Sequence, residues 1–114
     1  MTIKPVDLQQ NTLDIMILKA ASFGPVHGYA VARWIQLVTD QALLIEEGTL
    51  YPALHRLQGR GFIAADWGTS DNNRRAKYYR LTGKGRRHLR AATAGWDSLA
   101  GAMAKVLHAT EEPV

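Results

Sequence analysis

The sequence predicts a mainly α-helical fold with a small β-hairpin: a winged helix-turn-helix with a long C-terminal dimerisation helix appended. Three observations predict it. Helical apolar spacing recurs three times before Gly59, two extended segments flank the polar stretch Asp71-Asn72-Asn73, and a heptad seam runs from Leu89 to Val106. Helix, helix, helix, hairpin, long helix is the element order of that architecture.

Taking the elements in turn, residues 1–10 are polar, contain Pro5 and read as an N-terminal arm. Asn11 or Thr12 is the expected cap of a first helix reaching about Ser22, with Leu13, Met16, Ile17 and Ala20 on one stripe. Phe23-Gly24-Pro25 stops it. A second helix, from about Gly28 to Val38, places Val31, Trp34, Ile35 and Val38 at i, i+3, i+4 and i+7. After a linker around Asp40 to Leu43, a third helix spans about Glu47 to Gln58 and buries Leu50, Leu54 and Leu57. Pro52 is expected in its first turn, where a missing N–H does little harm, and Thr49 is its expected cap.

Gly59 and Gly61 end that helix. Phe62 to Trp67 reads as a strand, Gly68 to Ala76 as a hairpin loop, and Lys77 to Leu81 as the returning strand, with Tyr79 and Leu81 inward. Thr82-Gly83-Lys84-Gly85 opens the last helix, which reaches about His108. Its apolar residues Leu89, Ala92, Trp96, Leu99, Met103 and Val106 keep a heptad spacing, so a second copy of the chain is the expected partner. The expected organisation is an arm (1–10), a winged helix-turn-helix domain (11–82), a dimerisation helix (83–108) and a frayed tail (109–114).

Composition narrows the function classes. At 114 residues there is room for one domain and one modest core. The absence of cysteine excludes a disulfide framework and thiolate metal sites, and suits a reducing compartment. No segment resembles a signal peptide or approaches about 20 apolar residues, so a soluble cytoplasmic protein with no membrane partner is expected. His27, His55, His88 and His108 share no ligand spacing, so no metal or other cofactor is expected. Ser22, Ser70 and Ser98 lie in no nucleophile-elbow pattern, and no catalytic residue is assigned.

The net charge of +4 is unevenly placed: residues 1–57 carry four basic and five acidic side chains, residues 58–114 ten and five. Eight of the ten lie between Arg74 and Arg90, with no acidic residue among them. Folded positive charge beside a compact amphipathic helix is the footprint of a polyanion reader, and it points to double-stranded DNA. Tyr51, Pro52, His55 and Arg56 lie opposite the buried leucines of the third helix, on the face that enters the major groove in a helix-turn-helix. Arg74, Arg75 and Lys77, in or just after the hairpin loop, suit a wing that grips the minor groove or flanking backbone. Trp34 and Trp67 are read as structural.

Several stretches resemble the PadR family of bacterial transcriptional regulators: Gly24-Pro25-Val26-His27-Gly28-Tyr29, the block from Gly48 to Leu57, Gly61-Phe62-Ile63, and Tyr78-Tyr79-Arg80-Leu81-Thr82-Gly83-Lys84-Gly85. Together they cover about residues 11 to 90, and Thr49-Leu50-Tyr51-Pro52 at a helix start is the most specific of them. The short tail resembles the subgroup with a single C-terminal helix. The resemblance implies a homodimeric repressor that binds inverted-repeat operators and releases them when a small molecule binds. It also implies Thr49, Tyr51, Pro52 and His55 near DNA and Arg56 at a phosphate or guanine. Trp96, on the seam, reads as a bulky knob of the dimer interface or as a wall of an effector pocket for a small aromatic compound, with Leu99 and Met103 beside it.

Other readings suit the same residues. A winged-helix module meeting an acidic protein would use the same basic surface, and an RNA-binding winged helix would use the same phosphate contacts. A small-molecule carrier or minor enzyme would need only the surroundings of Trp96, though no catalytic residue pattern favours it. Preference for a palindromic duplex over scrambled DNA separates the DNA reader from these.

Overall fold

The computed structural model describes residues 5–69 and 72–114. In chain order the elements are α1 (Pro5–Ala21), β1 (Val26–His27), α2 (Gly28–Val38), α3 (Glu47–Gly59), β2 (Ile63–Thr69), β3 (Arg75–Leu81) and α4 (Gly83–Leu107). This is the winged helix-turn-helix predicted, with the long helix appended.

Leu13, Ile17, Leu18, Ala20 and Ala21 of α1 pack with Val31 and Ile35 of α2 and with Leu50, Ala53, Leu54 and Leu57 of α3. The hairpin closes this core with Phe62, Ile63, Tyr79 and Leu81, and Leu89 of α4 completes it. Helix α1 begins at Pro5, not at Asn11 or Thr12, so the expected arm is reduced to residues 1–4, which lie outside the described residues. The physical reason is that proline suits a first helical turn, so Pro5 opens the helix rather than excluding it.

The sheet has three strands in the order β1-β3-β2, both pairs antiparallel. The two-residue β1, which pairs Val26 with Tyr79 and His27 with Tyr78, is too short to leave a period in the sequence. The hairpin strands run further toward the tip than expected: β2 reaches Thr69 and β3 starts at Arg75, which is therefore a strand residue. Asn72 and Asn73 lie in the turn, Asn73 with φ 59°; Asp71, the other residue of the expected loop centre, lies outside the described residues.

Local chemistry fixes the helix ends. Helix α2 closes through the Gln41 N–H, which donates to the Gln36 carbonyl at 2.8 Å while Asp40 and Gln41 both take positive φ. Helix α4 is capped by Thr82, whose Oγ1 accepts from the Gly85 N–H at 3.0 Å. Helix α3 departs from expectation. Its N-cap is Glu46, without a side-chain cap bond, so Thr49 lies within the first turn and caps nothing. Pro52 falls in the second turn. Its missing N–H strips a partner from the carbonyl of Gly48, an exposed residue whose carbonyl can turn to water.

Candidate nucleic-acid interface

The buried stripe of α3 leaves one face outside. Thr49, Pro52 and His55 are exposed, and Tyr51 is 43% exposed. Across a cleft of about 460 Å³ the side chains of Tyr51 and Tyr29 meet Lys77 and Tyr79 of β3, so α3 and the hairpin face each other. The Lys77 ammonium lies 5.5 Å from the centre of the Tyr79 ring. Burial, then the negative charge of Glu47 and the phenol of Tyr79, raises the Tyr51 pKa above its ordinary value; burial alone raises that of Tyr79. Both phenols therefore keep their protons at neutral pH, and Tyr51 presents an O–H donor.

Gly28 makes the approach of α2 to α3 feasible. A Cβ at Gly28 would meet the Tyr51 ring at 3.0 Å and Leu54 at 3.1 Å. The sequence reading missed Tyr29, which is 60% exposed beside this cleft. Its aromatic ring at the start of an amphipathic helix, off the apolar stripe, was the available signal.

Arg56 departs from the others. Its guanidinium donates to Asp14 Oδ1 of α1 at 2.6 Å, where the Asp14 side chain is 7% exposed and that of Arg56 34%. The buried carboxylate of Asp14 beside α3 draws in the Arg56 guanidinium, so Arg56 ties α3 to α1. Helical spacing sets Arg56 apart from the buried leucines, but the direction of its long side chain is not legible from spacing.

At the wing, Arg74 and Arg75 are exposed and Lys77 half-buried. Trp67, read as structural, is 60% exposed, and the Arg75 guanidinium sits 4.5 Å from the centre of its ring. Lys84 is held away from the wing: its Nζ donates to the Arg60 carbonyl at 2.8 Å and lies 5.2 Å from the ring centre of Phe62. That ring also stacks on His88, with centroids 4.2 Å apart.

On α4 the expected seam divides. Leu89 is buried in the chain's own core, a correction to its expected place in a dimer interface, because α4 packs there on α1. Trp96, Met103 and Val106 are 43%, 49% and 71% exposed, while Ala92 and Leu99 are half-buried. A groove of about 650 Å³ opens between α1, α2 and α4, lined by Met16, Trp34, Val38, Thr93 and Asp97 among others. Trp96, Leu99 and Met103 do not line it; at about 100° per residue they lie roughly a third of a turn away on α4. Trp34 is thus a groove wall as well as a packing residue.

Among the described residues no group of His, Asp and Glu side chains could hold a metal ion, and no helix is long and apolar enough to cross a membrane. The arrangement is that of a winged helix-turn-helix protein. The sequence profile of the transcriptional regulator PadR-like family matches residues 17–91, and the chain belongs to that family of regulators, not to a class of enzymes.

Relatives agree along nearly the whole chain. The transcriptional regulator Rv3488 of Mycobacterium tuberculosis is 30% identical over 95 residues, covering 82% of this chain and 84% of the relative. A transcriptional regulator from Clostridium thermocellum has a solved structure with a TM-score of 0.78 at 29% identity, covering 87% of this chain and 96% of that one. A PadR family transcriptional regulator from Eggerthella lenta gives a TM-score of 0.74 at 32% identity, covering 92% and 89%.

Proposed function

We propose that the chain regulates transcription as a homodimer that binds an inverted-repeat operator and represses from it. Thr49, Tyr51, Pro52 and His55 enter the major groove, and Arg74, Arg75 and Lys77 of the wing hold flanking phosphate or the minor groove. The observation that carries this reading is the shared cleft: Tyr51 of α3 and Lys77 of β3 line the same space, so helix and wing address one duplex together. Arg56 supports the reading helix from behind through Asp14.

The second copy packs along Ala92, Trp96, Leu99, Met103 and Val106; the exposure of Trp96, Met103 and Val106 in a single chain is otherwise unexplained. A small aromatic effector binds between the subunits, with Trp96, Leu99 and Met103 as walls on α4. By favouring a spacing of the two reading helices that mismatches the half-sites, it releases DNA. The test is selection of duplexes from a random library by the purified chain. The reading expects an inverted repeat whose half-sites lie about one helical turn apart. Equal retention of all duplexes, or preference for RNA, would refute it.

A further inference from the structure

The two faces of the wing differ in composition and in packing. Register pairs Ile63 with Leu81, Ala65 with Tyr79, Trp67 with Lys77 and Thr69 with Arg75, and cross-strand partners share a face. At the base of that face Ile63, Tyr79 and Leu81 are core. Further out it carries the exposed Trp67 opposite Lys77, which lines the cleft shared with Tyr51, and then Arg75, which lies over the Trp67 ring. The opposite face is closed on itself. Arg80 donates to Asp66 at 3.1 Å, and the Tyr78 ring covers Gly68 so closely that a Cβ there would meet it at 3.0 Å. The Tyr78 hydroxyl donates to the Thr69 carbonyl at 3.4 Å.

Folding does not account for Trp67. It belongs to no core cluster and leaves most of a large apolar ring in water. It meets Arg75, whose guanidinium lies 4.5 Å over its ring centre on the wing face that looks toward the reading helix. A planar apolar ring beside an oriented guanidinium matches a sugar–phosphate strand: deoxyribose carbons lie against the indole, and the guanidinium donates to a phosphate oxygen. We propose that Trp67 is a DNA-contact residue, forming with Arg75 a clamp on the duplex backbone that flanks the major-groove site. This rests on the DNA-binding reading above.

The experiment uses the full chain and the duplex selected from the library, comparing Trp67→Ala, Trp67→Phe, Arg75→Ala and the Trp67→Ala/Arg75→Ala double variant by titration at several salt concentrations. Thermal midpoints serve as the folding control. Trp67→Ala is expected to weaken binding about tenfold with its midpoint unchanged, and Trp67→Phe to retain most of the affinity. Because the two side chains act as one unit, the double variant should lose less than the product of the single losses. If Trp67→Ala binds as tightly as the parent while Arg75→Ala weakens binding, the wing still touches DNA and the role of Trp67 is disproved. If the parent chain prefers no duplex, the clamp falls together with the DNA reading.

Discussion

Arg56 belongs to the reading helix by position and to the interior by contact. Removing its partner leaves a guanidinium beside an emptied site, with Nε already buried and unbonded among the described groups. Because Arg56 is a third exposed, the loss is smaller than for a fully enclosed pair, and Asp14→Ala should cost about 2 kcal/mol in chemical denaturation. Arg56→Ala should likewise lower the thermal midpoint. Its DNA titration should keep the parent's salt slope, since no phosphate contact is lost; a slope lower by about one would show instead that Arg56 reaches the duplex. Tyr51 and Tyr79 give a separate handle. Their pKa values are raised in the fold, so their contribution is fully present below the ordinary tyrosine value of 10.0 and is lost as pH rises through the folded values. Denaturant midpoints should therefore fall at pH above 10, and fall less steeply in Tyr51→Phe.

Between elements, hairpin and α4 meet closely at Gly85. A Cβ at Gly85 would lie 1.9 Å from the Phe62 carbonyl oxygen, while Thr82 Oγ1 is hydrogen-bonded to the carbonyls of Gly61 and Phe62. Gly85→Ala must push α4 off the wing and should cost about 3 kcal/mol or more by denaturant unfolding. At the wing, Arg74→Ala with Arg75→Ala should lower affinity across all duplexes and flatten the salt slope; an unchanged slope would count against the wing assignment. The same elements show what the sequence makes legible. Leu50, Leu54 and Leu57 announced α3 because helical burial repeats every three or four residues, and Thr82-Gly83-Lys84-Gly85 marked the opening of α4. The cap that Thr82 makes there shows only in the structure. Strand β1 was invisible because two residues carry no period. The exposure of Trp67 was not legible, because only the register with Lys77 and Arg75 reveals which face it joins and that this face leaves the core.

For the whole molecule, α4 governs the account. Its first turns pack on the core through Leu89, while Trp96, Met103 and Val106 stay exposed. The heptad spacing identified the unpartnered stripe but could not separate Leu89 from it, because core and seam meet on adjacent faces of one helix. Nor could spacing foresee the groove between α1, α2 and α4, which depends on three elements distant in sequence. Leu99→Asp should yield single subunits that bind the operator poorly, and light scattering that still reports a dimer would discredit the seam. The most direct test of the central claim, two copies presenting a matched pair of reading helices and wings, is sedimentation of the chain alone and with the selected duplex. The account predicts a free mass twice the 12.6 kDa of one chain and two chains on each inverted repeat. Free monomers, or one chain per duplex with the second half-site irrelevant to affinity, would contradict it.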